Sequence, residues 1–127
     1  MAEHNQEGKW GEQVAADWLK GQGYLILNRN WRAGSSLVDL DLVCLSPDKR
    51  CTVFMEVKTR SDNMTIEPED AVNIKKMRNL GRVADRYVKL YDVTNEIRFD
   101  IITVVGKHGC DSPKINHIED AFNPLLV

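Results

Sequence analysis

The stretch VDLDLVCLSPDKRCTVFMEVKTR, from Val38 to Arg60, constrains this chain more than any other part of it. It holds two short apolar runs with charges at alternate positions, separated by Ser46-Pro47-Asp48. Alternate side chains of a β-strand share a face. Asp39 and Asp41 therefore point the same way on the first strand, as do Glu56 and Lys58 on the second. The other faces, Val38/Leu40/Leu42/Cys44 and Cys51/Val53/Met55/Val57, are apolar and suit a core. Paired as a hairpin, the strands bring two or three carboxylates and an ammonium to one end of a sheet. Carboxylates on otherwise buried strands are costly unless they are paired or bind a cation.

With 127 residues the chain is expected to form one domain, residues 1–127, with a core over about 8–105 and an extension over 106–127. A formal net charge of −2 gives no whole-protein sign of a polyanionic partner, so any such signal must be local. No run approaches a membrane span, and MAEHNQEGKW lacks the apolar core of a signal peptide, so cytoplasmic residence is the expectation. Cys44, Cys51 and Cys110 form no CxxC and fit neither a disulfide framework nor a zinc site; the first two read as packed, reduced thiols. His4, His108 and His117 have no partner at ligand spacing and read as surface or capping residues.

Residues 8–20 predict a helix, with Val14, Ala15, Trp18 and Leu19 as its apolar stripe and Gly21 and Gly23 as its stop. At 100° per residue Glu12 falls about 20° from Leu19, on the rim of that stripe. It is placed either to reach the sheet edge beneath or simply to favour the helix dipole; spacing alone favours the second. Tyr24 to Leu27 is a short β-prone run, and 33–36 a turn or loop. Pro68, flanked by Glu67, Glu69 and Asp70, marks the start of a second helix running to about Leu90. Its apolar arc is Ile74, Met77, Leu80, Ala84, Tyr87, Val88 and Tyr91, with Gly81 allowing close packing. The opposite arc carries Lys75, Arg78, Arg82, Arg86 and Lys89. With Lys76, residues 73–90 hold six basic groups against one acid, Asp85. Such a stripe is ordinarily a solvated face; it gains meaning only if it borders the carboxylates, where a polyanion held by one could be cut at the other.

Ile97 to Val105 is a strand with Arg98, Asp100, Ile102 and Val104 on one face. Ile115 to Ile118 reads as a short edge strand, and Ala121 to Val127 as a loosely docked apolar tail. The order α-β-β-β-α-β calls for an α/β fold, a mixed sheet flanked by helices.

Hard divalent cations prefer carboxylate oxygens. Asp41 and Glu56 supply two such ligands, and the backbone carbonyl of Val57 could add a third. Lys58, two residues on, lies where it could orient or deprotonate an attacking water and offset transition-state charge. The constellation suits phosphodiester hydrolysis with Mg²⁺ or Mn²⁺. There is no nucleophile elbow, GxGxxG or P-loop to support acyl, hydride or nucleotide chemistry. Alone, D-x(14)-E-x-K is a weak signal; its specific part is that Glu and Lys interrupt the apolar run CTVFMEVK after a strand carrying Asp-x-Asp.

The ordered set GKWGEQVAADWLKGQGYLILNRNWR, VDLDLV, TVFMEVKTR and IRFDIITV, spanning roughly residues 8–105, resembles the bacterial UPF0102 (YraN-like) family. That family in turn resembles restriction-endonuclease-like nucleases of the PD-(D/E)xK type, including archaeal Holliday junction resolvases. The resemblance implies a restriction-endonuclease-like fold and an endonuclease acting on DNA, branched or structured DNA included. It matches Asp41 to the metal-binding aspartate, Glu56 and Lys58 to the ExK pair, and Glu12 to the helix-1 glutamate near the metals. Relatives usually read G-E-I-D-L here, whereas this chain has Val38-Asp39-Leu40-Asp41-Leu42 with no proline before Asp41. The Asp/Glu/Lys set is intact despite that difference.

Candidate nucleic-acid contacts are Arg32, Arg60, Lys75, Arg78, Arg82 and Arg86. A homodimer, one copy per DNA strand, is compatible with so small a unit. Two other readings stay open: a non-catalytic nucleic-acid-binding module that keeps the nuclease fold, and a scaffold whose carboxylates and lysine merely pair with each other.

Overall fold

The computed structural model describes residues 2–34, 38–61 and 74–124, with side chains from residue 6 onward. The Pro68 helix start, with Glu67, Glu69 and Asp70, lies outside these residues, as does the end of the tail. The elements are α1 (Ala2–Gly21), β1 (Leu25–Trp31), β2 (Leu40–Leu45), β3 (Cys51–Arg60), α2 (Ile74–Tyr91), β4 (Glu96–Val105) and β5 (Lys114–Ile118). They form one five-stranded mixed sheet in the order β1-β2-β3-β4-β5. All neighbours are antiparallel except β3 and β4, which run parallel. A parallel pair requires a crossover connection, and α2 lies within it. The arrangement is α/β and consistent with a restriction-endonuclease-like fold. Among the described residues, no helix is long and apolar enough to cross a membrane.

Each helix covers one face of the sheet. Ala15, Ala16 and Leu19 of α1 pack on Leu42, Cys44, Val53, Met55, Ile102 and Val104. Leu80, Val83, Ala84 and Tyr87 of α2 pack on Leu40, Val43 and Phe54. Central β3 is thus covered on both sides, which is why Thr52 through Met55 are all buried. Ile74 and Tyr91, expected on the α2 core face, are half exposed, and Val83 takes the inward position instead.

Three sequence expectations are corrected. First, α1 begins at Ala2 rather than residue 8, since Ala, Glu and Gln in the leader are good helix formers. Second, β1 continues through Asn28-Arg29-Asn30-Trp31, and pairing with β2 overrides the weak β-propensity of asparagine. A bulge between Ile26 and Asn28 and a left-handed φ of 48° at Asn30 absorb the irregularity. Third, Val38, Leu40, Leu42 and Cys44 do not share a face: Val38 and Leu40 join the α2 layer, while Leu42 and Cys44 lie under α1. Leu40 pairs with Trp31, whose indole stands edge-on to Tyr87 at 5.2 Å, and this contact draws Leu40 to the α2 side.

The Ser46-Pro47-Asp48 segment does make the β2–β3 turn. Lys49 N donates to Ser46 O at 2.8 Å, Ser46 Oγ donates to Asp48 at 2.7 Å, and Arg50 N donates to the same carboxylate at 3.0 Å. Cys44 is buried and Cys51 half-buried, both as free thiols. The tail is not loosely docked as far as Pro124. Ala121 N donates to Phe99 O at 2.7 Å, Phe122 stacks on Phe99 at 5.2 Å, and a Cβ added at Gly81 would stand 2.5 Å from Pro124 Cβ. The close packing expected at Gly81 is therefore against the tail.

Candidate functional site

The β2–β3 ladder pairs Leu42 with Met55, and one step beyond stand Asp41 and Glu56. There the Val57 N–H donates to Asp41 Oδ2 at 2.8 Å, a side chain taking a backbone donor where the ladder ends. Asp41 is half-buried, and its carboxyl is pushed up to about 8. Burial is the main cause, followed by the charge of Glu56, with Glu12 and Asp39 adding to it; the Val57 N–H pulls the other way. Three acids thus bear on a fourth in a poorly hydrated notch.

Glu12 reaches this notch because α1 rides directly on β3. A Cβ at Gly11 would collide with Thr59 Oγ1, so only glycine permits the approach. The Glu12 carboxylate accepts a hydrogen bond from Asn30 Nδ2 at 2.6 Å, which holds it at the end of β1. Asp39 lies before β2, 3.9 Å from the exposed Arg32 guanidinium. Lys58 follows Glu56 at strand spacing and is half-buried, as is Arg60 at the end of β3.

Glu56 carries the contact that sequence reasoning missed: Lys76 Nζ lies 2.5 Å from its Oε1. Burial opposes the lysine charge, yet the hydrogen bond and charge of Glu56, with Asp41 and Asp39, hold its ammonium above the ordinary range. The signal lay in the helix phase. Lys76 precedes Leu80 by four residues and Val83 by seven, which puts it in line with the buried stripe, where a charge needs a partner. Lys75, Arg78, Arg82 and Arg86 project outward, away from the buried stripe. Lys76 is the point at which α2 meets the acid notch. Among the described residues, no three or more of Asp, Glu, His and Cys are gathered tightly enough to hold a metal. Asp41 and Glu56 are neighbouring hard oxygen donors that fit a divalent cation in kind. Glu12 is in electrostatic range but is engaged by Asn30.

A second acid cluster lies under α1, and its histidine corrects the expectation of a surface role for His117. Asp100 is fully buried. It accepts hydrogen bonds from Arg98 Nε at 2.9 Å, Arg98 Nη2 at 2.8 Å and the Asp120 amide at 2.9 Å, and pairs with His117 Nε2 at 2.7 Å. Arg98 also donates to the Tyr24 hydroxyl at 2.7 Å, and Trp18 and Tyr24 stand edge-on to the imidazole. Burial works against the Asp100 charge, but the bonds from His117, Arg98 and Asp120 hold its carboxyl below the usual range.

Fold and site together are those of an α/β chain, consistent with a restriction-endonuclease-like arrangement, with acids at the end of its central hairpin. The chain belongs to the uncharacterised protein family UPF0102, which it matches over residues 11–104. Among its relatives are UPF0102 proteins of Bacteroides thetaiotaomicron, 45% identical over 99% of both chains, and of Porphyromonas gingivalis, 39% identical over all of this chain and 90% of that one. A Flavobacterium psychrophilum member is 38% identical over 96% of this chain and 98% of its own.

Proposed function

We propose that this protein is a divalent-cation-dependent endonuclease that hydrolyses phosphodiester bonds in DNA, branched or structured DNA included. The observation that carries this reading is the placing of Asp41 beside Glu56 one step past the end of the β2–β3 ladder, two carboxylates in one half-buried notch whose mutual repulsion a cation would relieve. Asp41 and Glu56 are the residues to hold Mg²⁺ or Mn²⁺, with the Val57 carbonyl and Glu12 as further donors. When bound, the ion supplies a more acidic water and offsets charge on the phosphate. Lys58 would orient or deprotonate the attacking water and offset the charge that develops in the transition state. Arg78, Arg82 and Arg86, with Lys75, Arg32 and Arg60, hold the backbone phosphates. A homodimer, one copy per strand, and residence in the cytoplasm belong to the same reading.

The test is cleavage of duplex, single-stranded and junction DNA by purified protein with Mg²⁺ or Mn²⁺. Cutting reduced by at least roughly 100-fold in Asp41→Ala is the expected result, in line with removal of a main charge-stabilising element. No cutting of any substrate, with Asp41→Ala indistinguishable from wild type, would sink it.

One observation favours a second reading. Lys76 already neutralises Glu56, and no third acid closes tightly on the notch among the described residues. On that reading the chain is a non-catalytic nucleic-acid-binding module. Salt-sensitive DNA binding would then survive Glu56→Ala and weaken in Arg82→Ala/Arg86→Ala, with the salt slope falling by about 0.9 for each phosphate no longer neutralised.

A further inference from the structure

We propose that Lys76 is an internal counter-ion of the acid notch, exchanged for a divalent cation when one binds, so that α2 senses whether the site is loaded. This deepens the cation-binding reading above and rests on it. Lys76 Nζ lies 2.5 Å from Glu56 Oε1, and the Glu56 side chain is only 11% exposed. The oxygen a metal would need therefore already carries a positive charge.

Two features make that charge removable. The Lys76 side chain is 46% exposed, and a four-carbon stem lets the ammonium swing into water without moving the helix. The other cations along α2, Lys75, Arg78, Arg82 and Arg86, lie on the outer arc, where a nucleic-acid phosphate would lie. An ammonium displaced from Glu56 would turn into water beside the first turn of α2. Loading the notch would thus remove one positive charge from the acids and expose it at that end of the helix. In the metal-free protein the same contact holds the carboxylates together and lowers their affinity for stray cations. Lys76 acts through Glu56 and is a positioning residue.

The experiment is calorimetric titration of Mn²⁺ into wild-type protein, Lys76→Met and Lys76→Arg, each checked for native circular dichroism. Removing a competing, half-exposed ion pair should tighten Mn²⁺ binding roughly 3- to 10-fold in Lys76→Met, while Lys76→Arg stays close to wild type. A second readout follows the amine itself: limited acetylation read by mass spectrometry should label Lys76 faster in wild-type protein when Mn²⁺ is present, with Lys75 unchanged. Binding seen only in Lys76→Met overturns the exchange, since the wild-type ammonium then bars the cation and does not give way to it. Equal or weaker Mn²⁺ binding by Lys76→Met, with wild type still binding, overturns the exchange and leaves the cation site standing. Absence of Mn²⁺ binding from all three proteins overturns both.

Discussion

Asp41 and Asp100 are both carboxylates placed on a sheet under a helix, and their surroundings could hardly differ more. Asp100 is fully enclosed yet has a donor for each oxygen: a two-pronged guanidinium, an imidazole and a backbone amide. Asp41 is less buried; neighbouring acids disfavour its charge, while the Val57 N–H and the more distant Lys76 ammonium favour it. Burial disfavours the charge of both; at Asp100 the hydrogen bonds win and at Asp41 they do not. A satisfied buried acid ties structure together, whereas an acid whose charge its surroundings disfavour is the candidate for the proposed function. Asp100 ties β4 to β5 and to the residues after β5; Asp41 is the one to which function is assigned.

The largest expected effect breaks the satisfied side. Asp100→Ala leaves the partly buried Arg98 and His117 without their carboxylate and should destabilise the fold by about 3–5 kcal/mol, the range for removing one partner of a buried ion pair. Urea unfolding would measure it, and a drop under about 1 kcal/mol, the scale of an exposed pair, would show that the network is not structural. Next comes Gly11→Ala, which touches both clusters because α1 carries Glu12 to one and Trp18 to the other. With an added Cβ driven into Thr59 Oγ1, overpacking should cost roughly 3 kcal/mol and lower cation binding at the notch. Thermal unfolding and Mn²⁺ titration read the two consequences.

The smallest effect is the most pointed, because its sign is opposite. A carboxyl whose folded pKa is raised from 3.8 to about 8 binds its proton more tightly in the native state. Its contribution therefore makes stability fall as pH rises from about 4 to about 8, and flatten above that. Asp41→Asn retains an oxygen for the Val57 N–H and removes the titration. It should stabilise the metal-free protein at pH 8 by on the order of 1–2 kcal/mol, with the linkage discounted for partial exposure. The gain should vanish near pH 4. Asp100 has the other sign: its lowered carboxyl stabilises the fold above about pH 4, and that support is lost on acidification below it. Chemical denaturation of wild type and Asp41→Asn across pH 4–9 separates the two trends. A variant uniformly less stable would show that the notch favours the Asp41 charge.

Much of this was legible in the chain because two-residue and 3.6-residue periods reach through to packing. The β2–β3 hairpin, the inward faces of β3 and β4, the buried stripe of α1 and the outward basic arc of α2 all lie where their spacing put them. Spacing failed where one tertiary contact outweighed it. Leu40 left its face for Trp31 and Tyr87, and β1 ran on through two asparagines to pair with β2. It was also silent on partners distant in the chain. Arg98 and Asp100 were visible on one face of a strand, but His117 joins them only because β5 pairs with β4. Lys76 reads as one more surface charge, although its phase with Leu80 and Val83 turns it inward. The glycine that lets α1 meet Thr59 gave no local sign, since its reason lies on another element.

The Pro124–Gly81 contact has a practical bearing on handling the protein. The last described residues lie across the middle of α2, and nothing larger than hydrogen fits between them. A purification tag or reporter fused at that end would pull on the helix that carries both the outward arginines and the lysine at Glu56. Fusions are better joined through a flexible spacer or moved to the other terminus, so that measurements on α2 report the untethered protein.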